Sequence, residues 1–219
     1  MKKIMFNDRY GLTEAVISGR KTITRHIVKG PRRFKGCEDT CLEFHKRLGS
    51  DIWYDCVVCD ADGHELGQLP LPFEVGDMVA VAQRYGNDDV LTFNAYDGDG
   101  QPRKDGHKRH QEMLKSPGYR NKMFVRADLM PHRIRITDLW FERLQDISDE
   151  DCLKEGVEKW MDCYIVSGIM ERGGKSNVCF DTPREAFAAL IDRISGRGTW
   201  KSNPWVVAYE FELIMQRAI

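Results

Sequence analysis

The sequence predicts an α+β fold: a mostly antiparallel sheet, curved or closed into a small barrel, with flanking helices and inserted loops. Three observations predict it. Apolar, β-branched and aromatic runs recur at residues 3–5, 52–58, 78–85, 123–125, 134–141 and 205–213. Helix signals are fewer, one near the amino terminus and two beyond residue 147. Their order is strand, helix, many strands, two helices and a final strand, with no internal repeat.

After the first strand, Leu12, Ala15 and Val16 fall at helical spacing. Gly19 ends that stretch where a helix favours a residue at positive φ. Thr22, Ile23 and Thr24 are β-prone, so a strand follows soon after. Residues 27–46, with Pro31-Arg32-Arg33, lose any period and predict a loop. Residues 52–58 and 65–69, joined by Ala61-Asp62-Gly63-His64, predict an accessory hairpin. Val75-Gly76-Asp77 is a turn, and the apolar run behind it, residues 78–85, is the clearest buried strand.

Residues 87–119 have the composition of a long loop, with Asp97-Gly98-Asp99-Gly100 near its start and Ser116-Pro117-Gly118 near its end. Residues 123–125 and 134–141 read as two strands separated by Met130-Pro131-His132. Ser148 caps a helix whose first turn is acidic and whose stop is Gly156. Thr182-Pro183-Arg184-Glu185 starts another, with Phe187, Leu190, Ile191 and Ile194 as its apolar face and Gly196 or Gly198 as its end. The whole reads as one domain, residues 1–219, with insertions at about 31–72 and 87–120.

With 42% hydrophobic and 31% charged residues, the chain has the composition of a folded soluble protein. A formal net charge of −1 gives no global sign of a nucleic-acid binder, so such a role rests on a local patch. One exists between Gln101 and Arg126, where eight basic residues face only Asp105 and Glu112. Arg109, Arg120 and Lys122 lie within it and could grip phosphates; a solvated basic loop is the plainer meaning. No run is apolar enough for a membrane helix and no signal-peptide core follows Met1-Lys2-Lys3, which predicts a cytoplasmic protein with no membrane partner. Seven cysteines, an odd number in a chain of this size, predict reduced thiols.

Cys37, Cys41, Cys56 and Cys59, with His45 and His64 nearby in sequence, raise a zinc site; buried thiols acting as small hydrophobes are the alternative. No cofactor is otherwise indicated. Gly173-Gly174-Lys175-Ser176 resembles the end of a phosphate-binding loop, but the required early glycine would fall at Ile169, which excludes it.

The chemistry-bearing stretch is Gly19-Arg20-Lys21-Thr22-Ile23-Thr24-Arg25-His26. Lys21 and Thr24 share a face only if the backbone turns between them, and a solvated basic loop is the alternative. Four stretches in this order resemble the ASCH domain of the PUA-like superfamily: Gly19-x-Lys21-x-x-Thr24; Gly76-Asp77 and its strand; Leu144-Gln145-Asp146-Ile147-Ser148 through Gly156; and Trp200-x-x-Asn203-Pro204-Trp205-Val206. Phage-encoded members are especially similar. The likeness covers about residues 1–30, 73–86 and 120–219 and leaves both insertions outside. The usual family motif has an acid at the Thr24 position and an arginine where this chain has His26. The Gly-Arg-Lys-Thr-Ile-Thr wording is similar to the N4-acetylcytidine amidohydrolase branch.

That resemblance implies a PUA-like fold and hydrolysis of an N4-acyl amide by a lysine, a threonine and a glutamate, matched here by Lys21, Thr24 and, by its place at the end of a helix, Glu155. Arg25, His26, Trp200 and Asn203 become candidates for contacts to a nucleoside, RNA or DNA. Thr24 would supply the nucleophile or hold a water, and Lys21 is a base only if its pKa falls from about 10.4 toward neutrality. Glu155 opposes that fall and would orient Lys21 or move the leaving amine's proton; the alternative is an ion pair in a cleft that binds without cutting. A zinc-stabilised interaction protein is a third expectation.

Overall fold

The computed structural model describes residues 1–97, 99–174 and 176–215; Gly98 and Lys175, which belong to the turn at 97–100 and the excluded loop motif at 173–176, lie outside the described residues. The amino-terminal part contains β1 (Lys2–Ile4), α1 (Leu12–Ile17) and β2 (Ile23–Ile27). Next come β3 (Arg33–Phe34), β4 (Cys37–Glu38), β5 (Cys41–Lys46), β6 (Trp53–Cys59), β7 (Glu65–Gln68) and β8 (Met78–Val81). The chain continues through α2 (Asp88–Ala95), α3 (Gly106–Lys115), β9 (His132–Arg143), α4 (Asp149–Lys154), β10 (Glu158–Trp160) and β11 (Cys163–Ile165). It closes with α5 (Pro183–Ser195), α6 (Thr199–Ser202) and β12 (Trp205–Met215).

The fold is α+β with a mostly antiparallel sheet. Its main path runs β1-β8-β9-β12-β2, β6 joins β9 from the side, and β5 and β7 flank β6. Only the β1–β8 pairing is parallel among these strands. β9 and β12 form the spine, in register from Trp205↔Arg143 to Met215↔His132 with a bulge between Glu210 and Phe211. Ile134, Ile136, Leu139 and Phe141 of β9 point into the main core with Val207, Tyr209 and Phe211 of β12 and Phe187, Leu190 and Ile191 of α5.

β8 is buried on both faces, which explains its unbroken apolar run. Val79 and Val81 join the main core, whereas Ala80 and Ala82 join a second cluster with Tyr85, Val90, Met113, Val125 and Met130. That second cluster corrects the expectation of a loop at 87–119. Two helices, α2 and α3, stand there; α3 buries little besides Met113, so its apolar signal is too thin to read. Residues 123–125, expected to be a strand, instead overlap a 3-10 turn at Lys122–Phe124 in which Met123 and Phe124 are exposed. The expected loop at 27–46 contains β3, β4 and β5. In β5 only Leu42 and Phe44 turn inward, and the polar alternation between them hid the strand.

Cys163 and Cys179 form a disulfide, Cα–Cα 5.6 Å, which corrects the expectation that every thiol is reduced. Backbone pairing of Tyr164 with Phe180 brings the two cysteines side by side. Among the described residues, no helix is long and apolar enough to cross a membrane.

Two turns position the polar residues of interest. α1 ends at Ser18 and Gly19, at φ 76°, reverses the chain so that the Lys21 amide bonds the Ala15 carbonyl at 2.8 Å. The Thr22 amide then bonds the Lys154 carbonyl at 2.9 Å, stitching this turn to the end of α4. The α4 start is as predicted, with the Ser148 hydroxyl accepting from the Asp151 amide at 3.0 Å. Its end depends on Gly156, at φ 106°, where a Cβ would stand 2.9 Å from Leu12 Cδ2 and 3.8 Å from Lys21 Cδ. Gly156→Ala is therefore expected to destabilise the fold by about 2 kcal/mol, through left-handed backbone strain and overpacking. Urea unfolding checks this; an unchanged midpoint would contradict it.

Candidate active site

A cavity of about 520 Å³ opens where α1, β2, the end of α4 and α5 meet. Lys21, Thr24, Arg25, His26 and Glu155 form its deep end, Phe187, Leu190, Ile191 and Ile194 of α5 line one wall, and Asn7, Asp8, Arg9 and Lys122 stand at the mouth. The volume is in the range of small-molecule sites.

Lys21 enters the deep end from the turn before β2 and is 2% exposed. Its ammonium donates to the Ile23 carbonyl at 2.7 Å, the Glu155 carbonyl at 2.9 Å and Glu155 Oε2 at 2.5 Å, so each of its three protons has an acceptor. Glu155, the C-cap of α4, divides its carboxylate: the second oxygen accepts from Arg25 Nη1 at 3.2 Å. Arg25 Nε reaches Glu142 Oε1 of β9 at 2.5 Å and Nη2 reaches Asp151 Oδ2 of α4 at 2.8 Å. Trp140 Nε1 holds the other Glu142 oxygen at 3.1 Å. Two cations thus face three carboxylates, a net charge of −1 when Lys21 is protonated.

Burial is the largest influence on Lys21 and lowers its pKa below the ordinary lysine value; Glu155 opposes the fall and Arg25 adds to it. At Arg25 burial also acts to lower the pKa, but Glu155, Glu142 and Asp151 together raise it above the ordinary arginine value. His26, edge-on to Tyr209 at 5.5 Å and near Phe73 at 6.2 Å, has its pKa lowered by burial, with Glu155 opposing and Lys21 assisting. Its ring is neutral at pH 7. Thr24 lies on β2 opposite Tyr209 of β12, and no described residue hydrogen-bonds its hydroxyl.

The other expected contacts separate. Lys122 reaches the cavity, where it donates to the Phe6 carbonyl, to Asp8 Oδ1 at 2.6 Å and to Thr13 Oγ1 at 3.1 Å. Arg109 instead pairs with Asp105 on α3 at 2.6 Å, Arg120 is exposed, and neither lines the cavity. Trp200 packs edge-on to Phe187 at 6.1 Å with Arg184 5.7 Å from its ring. Asn203, left-handed at φ 44°, accepts from the Gln145 amide at 2.8 Å. Both residues therefore brace the entry to β12 and neither lines the cavity. Trp205 is likewise internal, stacked on Phe44 at 4.0 Å.

The four candidate zinc ligands do not gather. Cys41 faces Cys59 across β5 and β6, Cys56 faces Phe44, and Cys37 faces Phe34 across β3 and β4. Burial pushes Cys56 up to about 12, a thiol far from ready to ligate at neutral pH. Among the described residues, the one group with metal-ligand geometry is Asp60, Asp62 and His64 at the β6–β7 turn. Sequence reasoning missed Asp8, Arg9, Glu142, Asp151 and the role of α5 as a cavity wall. Glu142 lies 117 residues from Arg25, so no local spacing could have signalled the pair.

None of the protein-family models, curated proteins or solved structures compared with the chain matches it.

Glu155→Gln is expected to cost about 3 kcal/mol, because Lys21 keeps a buried charge with no carboxylate, and adding Lys21→Met should recover much of that loss. A double-mutant cycle by urea unfolding checks the pair; simple additivity would contradict it. For His26, the unfolded ring titrates near 6.5 and the folded ring below it. Between those values the unfolded chain binds more protons, so stability is present above pH 6.5 and is lost as pH falls through the folded pKa. Unfolding midpoints from pH 8 to pH 5 should fall less steeply for His26→Gln than for the parent.

Proposed function

We propose that the chain is a PUA-like ASCH protein whose cavity accepts an N4-acylated cytidine unit and hydrolyses its amide. The observation that carries this reading is the 2.5 Å contact between Lys21 and Glu155 at the deep end of an open cavity, beside a Thr24 hydroxyl with no partner among the described residues. The two residues of that contact lie 134 positions apart and come from two of the four stretches that carry the family resemblance.

The donors constrain the roles. Lys21 has every ammonium position committed, whereas Arg25 spends one N–H each of Nε, Nη1 and Nη2 on three carboxylates and keeps two N–H groups. Lys21 is better suited to proton transfer. Burial lowers the Lys21 pKa and so favours loss of one ammonium proton, after which the amine takes the Thr24 hydroxyl proton as Oγ attacks the acyl carbon. Collapse of the tetrahedral adduct breaks the C–N4 bond, and the proton returns from Lys21 to the departing amine. Water then cleaves the acyl-threonine ester, its proton following the same route, to release the carboxylic acid and restore Thr24. Glu155 holds Lys21 in place throughout and stabilises its ammonium form. The neutral His26 ring remains to hydrogen-bond the base or the acyl oxygen.

A binding module that does not cut is favoured by one observation: Lys104, His107, Lys108, Lys115 and Arg120 are all exposed on and beside α3. Release of acetate and cytidine from N4-acetylcytidine separates the two readings. Thr24→Val, which keeps shape and strand propensity, and Lys21→Ala should each lower turnover by about 10²- to 10⁴-fold. Absence of turnover by the parent protein, together with RNA or DNA affinity that falls steeply with salt, would replace the hydrolase with the binding module.

A further inference from the structure

We infer that the cavity takes its cytidine unit with a phosphate attached, the base directed to the deep end and the phosphate held at the mouth by Arg9. The inference rests on the reading of the cavity as a cytidine site and names the form of that ligand.

Charge is distributed unequally along the cavity. At the deep end Lys21 and Arg25 face Glu142, Asp151 and Glu155, a net −1. At the mouth Arg9 and Lys122 face Asp8 alone, a net +1. Arg84 adds to the positive side, since its charge also bears on Asp8. An anionic group is repelled from the carboxylates below and attracted to the guanidinium above, so it can enter in only one orientation.

Arg9 is the cavity cation left without a carboxylate. Lys21 pairs with Glu155, Arg25 with three acids and Lys122 with Asp8, whereas no ion pair engages Arg9 among the described residues. Its side chain is exposed, with the guanidinium 5.8 Å from the Tyr10 ring. Its backbone, by contrast, is fixed. The Arg9 amide donates to Asn7 Oδ1 at 3.0 Å, and Gly168, at φ 76°, packs against the Arg9 carbonyl so closely that a Cβ there has no room. A guanidinium on an anchored backbone, with its donors unspent, matches the bidentate geometry of a phosphate. The apolar face of α5 lines the same cavity and offers a surface on which a planar base can lie.

The phosphate could be the monoester of a mononucleotide or a diester within a strand; Arg9 would bind either. Calorimetric titration of the full chain with cytidine, cytidine 5′-monophosphate and a cytidine-centred trinucleotide, repeated with Arg9→Gln, tests the inference. The phosphorylated ligands should bind about tenfold more tightly than cytidine, and Arg9→Gln should shrink that ratio to below about threefold. A thermal midpoint shared by variant and parent shows that the exposed substitution left the fold intact. Tighter binding of the trinucleotide identifies the diester and tighter binding of the monophosphate identifies the monoester, each in support. Equal affinities, a preference that survives Arg9→Gln, or no binding of any of the three overturns the inference.

Acetate release from N4-acetylcytidine, measured on the same preparation, reports on the hydrolase separately. Turnover without a phosphate preference removes this inference and leaves the hydrolase, whereas a phosphate preference without turnover does the reverse.

Discussion

Glu155 is shared between two buried cations, and the arrangement of the cavity depends on that division. One oxygen meets Lys21 and the other meets Arg25, so the carboxylate can rotate toward neither without abandoning the second. Lys21 and Arg25 flank β2 at its start and middle, while Glu155 closes α4. A single carboxylate therefore fixes the spacing between a strand and a helix that are distant in sequence, and Asp151 and Glu142 extend the tie to the body of α4 and to β9.

Backbone geometry puts these groups where the ion pairs can form. The Thr22 amide on the Lys154 carbonyl brings the two segments together before any side chain is considered, and the positive φ of Gly156 turns the chain away immediately after Glu155. The helix ends so that its last carbonyls remain available, and Lys21 caps one of them through the Glu155 carbonyl. Cation and carboxylate are thus held by main-chain bonds as well as by their mutual attraction. Such preorganisation fixes the position of the ammonium in the cavity.

Much of this was legible in the sequence because the signals were local. The Gly19 stop, the Ser148 cap, the helix start at Thr182 with Pro183, and the strand at 134–141 all depend on residues a few positions apart, and the structure contains each. The clustering of Lys21, Thr24 and Glu155 was legible as motif likeness rather than as physics. What failed was non-local. β5 is a strand because β6 lies beside it, α3 is a helix whose one large buried side chain is Met113, and Trp200 and Asn203 brace a turn although their types suit a nucleobase contact equally well. Cys163 and Cys179 are sixteen residues apart, a separation that says nothing until Tyr164 and Phe180 pair.

Stability alone is a poor account of the deep end. Replacing a buried ion pair with apolar side chains of similar volume is often neutral or stabilising by about 1–4 kcal/mol, because desolvation offsets much of the attraction. Here five charged groups converge instead, and burial still depresses the Lys21 pKa despite Glu155 at 2.5 Å. A fold selected only for rigidity had apolar material at hand: Phe6 lies 5.8 Å from the Lys21 ammonium, and Leu12 and Leu190 line the same cavity. A lysine whose pKa burial lowers, lining the same cavity as Thr24, is an expensive arrangement for a staple. The neutral His26 ring fits the same logic, since a further positive charge there would lower the Lys21 pKa again and weaken the hold of Arg25 on Glu155.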